Sequence, residues 1–262
     1  MPRLLIDFFA QAYSYRHYLV QSVRRDLAKK YKRSSLGYVW TMLHPLAMML
    51  IMSFVMSHVV RVQMKDYAVF FLAAVLPWNY FNSTSMMSLN SIRANAKLFS
   101  QIPIPKYLFI LSISASNLVN FLLALVPLVL VMAITGKEIS PTILFFPFLL
   151  LPLYIITISV AMLLAVSNIF FEDTLHLAEV GMQAMYFLLP IIYPPSMIPD
   201  RVSNILSLNP LFFQIQSIRN IFYLGEMPNL FFFFLNLGVA LVVLFFALKI
   251  FKRAEDKLLY FI

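Results

Sequence analysis

The residues of this chain best placed for chemistry are amides, hydroxyls and aromatic rings set into otherwise apolar runs. Asn79, Asn82, Ser83 and Asn90 recur at i, i+3, i+4 and i+11, the spacing of one helix face. Trp78, Tyr80 and Phe81 stand beside them, and a later apolar run carries Gln183, Tyr186 and Tyr193. A third run holds Ser112, Ser116, Asn117 and Asn120. Such groups bind and guide; they do not break bonds. Small polar residues also hold apolar helices together, and for any single serine that is the simpler reading. Three asparagines on one face point instead to a polar path.

Bond-breaking groups are not arranged to act. There is no Cys, which excludes disulfides, thiolate catalysis and Cys-based metal sites. His17, His44, His58 and His176 form no H-E-x-x-H motif or close pair, and the carboxylates form no catalytic set. Glu172 and Asp173 are adjacent, as suits a charged loop meeting solvent or a partner. None of the five glycines belongs to a phosphate-binding G-x-x-x-x-G-K-[ST] loop, so any energy source must lie on another chain.

The elements that position these groups follow from composition. Of 262 residues 61% are hydrophobic and only 12% charged, which places the chain in a bilayer. Charge-free runs cover 34–60, 67–92, 107–136, 139–171, 180–199 and 227–248, each long enough to cross. The expected fold is therefore an all-α membrane protein with six spans, at about 38–60, 67–90, 107–134, 142–170, 176–194 and 229–250. Pro77 sits near the middle of the second span and should kink it, leaving Trp78 at mid-depth. No titratable chain or cation cage lies mid-membrane, which argues against a proton- or sodium-coupled carrier.

Lys and Arg total 20 against 11 Asp and Glu. Residues 1–33, 93–106 and the tail after Leu248 hold 15 of the 20. Placing these three segments inside obeys the positive-inside rule and puts both termini in the cytoplasm. The same excess marks topology rather than nucleic-acid binding. The N-terminus offers no signal-peptide pattern.

Residues 8–33 form one expected interfacial helix. Tyr13, Val20, Val23, Leu27 and Tyr31 share a face, with Arg25, Lys29, Lys32 and Arg33 opposite. Between the fifth and sixth spans, Pro190, Pro194, Pro195 and Pro199 end a helix, and two short apolar pieces flank Asn209-Pro210. A re-entrant helix pair over 196–226 fits these pieces; an external amphipathic cap is the alternative.

Taken in order, these segments resemble the membrane subunit of bacterial ABC exporters for polysaccharides: the O-antigen, capsule and teichoic acid permeases. The resemblance rests on Arg25-Asp26-Leu27, Tyr31, Ser34, Leu36-Gly37, Trp40 and Pro45, then Leu76-Pro77-Trp78, Phe81, Asn95, Leu98 and Pro105-Lys106. It continues through Asp173, Pro190 to Pro194, Pro199, Asn209-Pro210, Arg219 and Gly225. Two positions depart from the pattern: Lys30 and Glu172 stand where the family usually has Arg.

The resemblance implies a homodimer bound to two copies of a separate nucleotide-binding ATPase, with ATP and Mg on that partner and no cofactor on this chain. The loop at 91–106 would be the coupling element, with Arg93, Asn95, Lys97, Leu98, Phe99, Ile102, Pro105 and Lys106 meeting the ATPase. Arg25, Asp26, Lys29, Tyr31, Lys32 and Arg33 would form the interfacial gateway for a lipid-linked glycan. Trp78, Asn79, Tyr80, Phe81, Asn82, Ser83, Tyr186 and Tyr193 would line its path, with rings stacking on sugar faces. The implied site is the bacterial inner membrane. The alternatives are an exporter of drugs or small lipids and an integral-membrane glycosyl- or acyltransferase.

Overall fold

The computed structural model describes residues 2–32, 36–61, 64–95 and 104–258, and for 2, 31 and 256–258 the backbone only. Helices account for nearly all of it, and no strand occurs among the described residues. Apart from single turns at Ser91–Ala94, Pro141–Phe145 and Pro195–Met197, in chain order they are α1 (Pro2–Ser14), α2 (Arg16–Tyr31), α3 (Val39–Phe54), α4 (Tyr67–Leu89), α5 (Tyr107–Ile134), α6 (Phe146–Phe170), α7 (Thr174–Leu188), α8 (Asp200–Leu206), α9 (Pro210–Arg219) and α10 (Leu230–Leu258). Single π turns extend α3 (Val55–Val59) and α9 (Asn220–Leu224).

Four segments are long and apolar enough to cross a bilayer: Val39–Val59, Tyr107–Ile134, Pro141–Phe170 and Leu230–Glu255. The other two expected spans differ for separate reasons. Helix α4 has 23 residues and runs unbroken through Pro77, but its amides and hydroxyls lower its hydropathy. Helix α7 has only 15 residues, below the roughly 20 that a straight crossing needs. It stops because Leu189 precedes Pro190 and is held extended, at φ −72° and ψ 142°.

The helix that carries these amides and hydroxyls is also the hub. Helix α4 packs against α3, α5, α6, α7 and α9, while α6 makes its broadest contact with α10. Phe71, Leu72, Phe81, Leu108, Leu128, Leu149 and Leu153 are fully buried in the resulting core. Two hydroxyls inside it are satisfied locally, Thr157 donating to the Leu153 carbonyl at 2.7 Å and Ser159 to that of Ile155 at 2.6 Å, whereas the buried Ser85 and Ser88 hydroxyls have no partner among the described residues.

The expected single N-terminal helix is two, hinged at Tyr15. Along α2 the face turned to the bundle is Tyr18, Ser22 and Asp26: Tyr18 meets Phe109 edge-on at 6.0 Å, and Asp26 accepts from Ser112 at 3.1 Å. Tyr13 and Val20 point outward, uncovered by protein, as a lipid-facing stripe requires.

The segment 196–226 folds as the two short helices α8 and α9. Asn209 caps α9 by accepting from the Leu211 amide at 3.0 Å, and Pro210 takes the first helical position, where no backbone N–H is needed. Gly225 ends the following π turn at φ 73°, and a Cβ there would sit 3.3 Å from that of Ser140. An amide network ties α9 to its neighbours. Gln214 donates to the Leu149 carbonyl, and Asn236 donates to Gln214 Oε1 at 2.9 Å and to the Pro210 carbonyl at 3.2 Å.

This network predicts a coupling. Gln214→Leu and Asn236→Leu should each lower the thermal midpoint in detergent by stranding the other amide. The double replacement should cost less than the sum, by about 1 kcal/mol of interaction. Strict additivity would show that the two amides do not support one another.

Candidate functional site

Helix α4 buries one side in the bundle and leaves the other open. On the buried side Thr84, Ser85 and Ser88 are fully enclosed; on the open side Ser83 and Asn90 are exposed and Asn79 and Asn82 half-buried. The open side is bordered by three clefts. The first, about 840 Å3, lies under α2 and is lined by Arg25, Asp26, Lys29, Asn90, Asn95 and Ser112 among others. The second, about 370 Å3, runs deeper between α3, α4 and α5, with Trp40, His44, Asn79, Tyr80, Asn82 and Ser83 in its wall. Lys30, Asn117 and Asn120 border both, so the two adjoin along α5. A third, about 430 Å3, lies across α4 against α7 and holds Trp78, Asn82, Gln183 and Tyr186. Asn82 stands on the ridge between the second and third.

The mouth of this system is cationic. Arg25, Lys29 and Lys30 surround one carboxylate, Asp26, which already pairs with Arg25 at 3.3 Å and Ser112 at 3.1 Å. Desolvation lowers the Lys30 ammonium pKa from its ordinary value. Further in, amides, hydroxyls and rings predominate, with Lys30 and His44 at the second cleft and one carboxylate, Glu179, in the wall of the third. Asn117 donates to Thr84 at 3.3 Å, whereas Asn82 Oδ1 and Ser116 Oγ are buried with no hydrogen-bond partner among the described residues. Trp78 lies 6.0 Å from Tyr186 and 5.8 Å from Phe81, centroid to centroid. A cationic mouth leading to hydrogen-bonding and stacking groups suits an anionic head joined to a polyhydroxylated body.

Several expected residues are brought together here, and others are not. Trp78, Asn79, Tyr80, Asn82, Ser83 and Tyr186 border the clefts. Phe81 does not: at 1% exposure it is core. Tyr80 borders the second cleft with its ring edge only, since its hydroxyl is spent on Ser114 at 2.8 Å. Tyr193 is used elsewhere, donating to the Phe187 and Leu188 carbonyls at 2.9 Å each and so closing the end of α7. In the gateway set, Arg25, Asp26 and Lys29 line the mouth and Lys32 is exposed on the same helix; the Tyr31 side chain and Arg33 lie outside the described residues.

The 91–106 segment is described at its two ends. Lys97, Leu98, Phe99 and Ile102 lie outside the described residues. Arg93 donates to Glu172 at 2.8 Å and to the Ile169 carbonyl at 3.3 Å, tying the end of α4 to the loop between α6 and α7. Beside it, buried Asn168 donates to the Leu89 carbonyl and to Asn90 Oδ1, both at 3.1 Å. Glu172 thus makes its own ion pair at the position where Arg is usual. Asn95 donates to the Ser91 carbonyl at 2.7 Å and also borders the first cleft. After Pro105, Lys106 is buried and donates to the Glu255 carbonyl of α10 at 2.8 Å, so it faces the bundle rather than outward.

Sequence reasoning passed over Lys30, Trp40 and His44. The i, i+4 step from Trp40 to His44 was the available signal, and only the packing of α3 on α4 and α5 turns it toward the cleft. It also left Arg219 without a role. That side chain, 2% exposed, donates to the Pro190 and Ile191 carbonyls, and Tyr67 donates to that of Ile192 at 2.8 Å.

The absence of native Cys allows a direct check of which face is wet. Single cysteines at Asn79 and Ser83 should react with a water-soluble maleimide at least about tenfold faster than cysteines at Ser85 and Ser88, because thiolate forms only where water reaches. Equal rates would show that the open side of α4 is dry.

Comparison with known proteins adds the family. The ABC-2 type transporter model matches residues 18–223. The O-antigen export system permease protein RfbA of Klebsiella pneumoniae is 31% identical over 210 residues, covering 80% of this chain and 81% of that protein. The protein of the same name from Myxococcus xanthus is 28% identical over 256 residues, 97% and 98% of the two chains. The polysialic acid transport protein KpsM of Escherichia coli is 25% identical over 250 residues, covering 90% and 92%. With several helices long and apolar enough to cross a membrane and a family match over most of its length, the chain belongs to the ABC-2 type transporter membrane family and is a multi-pass membrane protein.

Proposed function

We propose that this chain is the permease subunit of an exporter that carries a lipid-linked, O-antigen-like polysaccharide across the bacterial inner membrane. It acts as a homodimer with two copies of a separate ATPase, which supplies ATP and Mg. The observation that carries this proposal is the adjoining of a cationic mouth under α2 and an amide- and ring-lined cleft along α4. The relatives named for O-antigen export and polysialic acid transport support it.

In this proposal α4 and α7 complete six crossings, α7 with the extended 189–194 segment, and α8 and α9 are the re-entrant pair. Placing both termini in the cytoplasm is supported by the positive-inside rule together with the gathering of α1, α2, Lys106 and the end of α10 at one end of the bundle through Tyr107–Gln11, Lys106–Glu255 and Asp26–Ser112. A polar α4 face open to hydrocarbon would be costly. A second copy resolves this: α3 and α7 flank that face and present Leu50, Phe54, Leu177, Val180 and Phe187, all exposed, as the apolar rim of a dimer. The lipid phosphate meets Arg25, Lys29 and Lys30, and the sugars pass along Asn79, Asn82 and Ser83 with Trp78 and Tyr186 as stacking surfaces. Many weak contacts suit a polymer that must keep moving.

The ATPase meets the 91–106 segment, and its nucleotide states must favour different arrangements of the spans. Arg93–Glu172 and Asn168–Leu89 join the end of α4 to those of α6 and α7, so a push on this segment reaches both walls of the third cleft.

Co-purification with an ATPase encoded beside this chain, and hydrolysis stimulated by lipid-linked glycan, are the expected results. Failure to recruit any nucleotide-binding subunit, or sugar transfer by this chain alone, would overturn the proposal. Stimulation by small hydrophobic drugs and not by glycan would reassign the cargo. Replacing Leu98 and Phe99 with Asp should abolish export with normal membrane insertion. Arg93→Glu and Glu172→Arg should each reduce export, and the double exchange should recover most of it, although an exposed pair contributes only about 0–1 kcal/mol to stability. No recovery would remove the ion pair from the coupling route.

A further inference from the structure

At the end of the bundle opposite α2, a pocket of about 500 Å3 is built around a cation without a carboxylate. Arg219 is 2% exposed, and none of the ion pairs among the described residues includes it. Its Nη1 donates to Gln216 Oε1 at 3.3 Å, its Nη2 donates to the Pro190 and Ile191 carbonyls, and its Cζ lies 3.8 Å above the centre of the Phe70 ring. Its Nε is buried with no hydrogen-bond partner among the described residues. Carbonyl dipoles and a ring face offset only part of a full positive charge.

The rest of the pocket says what would complete it. Gln216, Ser217 and Asn220 supply hydrogen-bonding groups beside the guanidinium, while Phe213 and Phe232, stacked at 4.9 Å, supply an apolar wall. Gln216 Oε1 already sits where an anionic oxygen would accept from Nη1. Planar guanidinium donors match phosphate oxygens, and an apolar wall suits the chain esterified to them.

We propose that this pocket is a subsite for a lipid phosphate ester, with Arg219 as its anion-binding group. The chain then carries two cationic phosphate sites, Arg25–Lys29–Lys30 at one end of the bundle and Arg219 at the other. The direction of traffic between them rests on the proposed export function; the chemistry of the Arg219 pocket does not.

The test is native mass spectrometry of the purified full chain in detergent, with farnesyl phosphate, farnesol and inorganic phosphate as probes. Wild type should hold two farnesyl phosphates per chain. Ser217→Trp, which fills the pocket and leaves the Arg219 bonds to Pro190 and Ile191 in place, should hold one. Arg219→Lys keeps the charge but loses the planar fork and should bind at this site about tenfold more weakly. Thermal melts of both variants report whether they remain folded. Equal stoichiometry and affinity in wild type and both variants would overturn the proposal. So would farnesol or inorganic phosphate binding here as tightly as farnesyl phosphate. Lys29→Gln with Lys30→Gln should remove the other lipid; if it does not, the gateway in the export proposal fails while the difference made by Ser217→Trp still stands.

Discussion

The structure depends on one constraint: backbone carbonyls left over where α7 breaks have to be satisfied among apolar side chains. The break at Pro190 releases the carbonyls of Phe187, Leu188, Pro190, Ile191 and Ile192. Tyr193 takes the first two, Arg219 the next two and Tyr67 the last. In water such groups would solvate themselves; in hydrocarbon each would cost several kcal/mol. Three side chains from three elements therefore converge on one turn, which pins α9 and the start of α4 to the end of α7. The short helices between 196 and 226 are held in place by this stitching and by the Gln214–Asn236 network, not by their own length.

The same constraint explains the placement of polar residues on the hub helix. Polar groups of α4 that face the bundle are enclosed, and where they are paired the partner is close by, as with Thr84 and Asn117 or Tyr80 and Ser114. On the open side Asn90 accepts from Asn168, Asn82 Oδ1 has no partner among the described residues, and there the clefts lie. A helix that is both structural centre and wall of several clefts carries amides and hydroxyls among its apolar residues. That is why its composition falls short of a simple spanning segment although it is 23 residues long.

At the basic end, the outcome at Glu172 shows how a departure from a family pattern can be absorbed. A carboxylate at a position where Arg is usual would seem to remove a contact. The chain instead sets it against Arg93, and Arg93 also takes the Ile169 carbonyl. The ion pair is exposed and weak by itself, yet it sits above the buried Asn168 bonds and so adds direction to a junction that is already joined.

Much of this was legible in the residues. Helical spacing placed Asn79, Asn82 and Ser83 on one face, proline chemistry ended α7, and Asn209-Pro210 divided two short apolar pieces. These are local rules, acting over one or two turns. Residue type alone could not separate Phe81, which is core, from Trp78, which borders a cleft, because three residues along a helix are near neighbours whose difference is set by what packs against them. Nor could it show that Tyr193 closes a helix end, that Lys106 turns inward to the Glu255 carbonyl, or that Arg219 is buried in a pocket. The sequence by itself determined a membrane-embedded helical chain with a polar face and a proline-broken segment, since hydropathy and proline act through the covalent neighbourhood. Only the tertiary structure decided which polar atoms find partners, and therefore which remain free to bind something else, because a hydrogen bond between residues 28 or 125 positions apart exists only after the helices have packed.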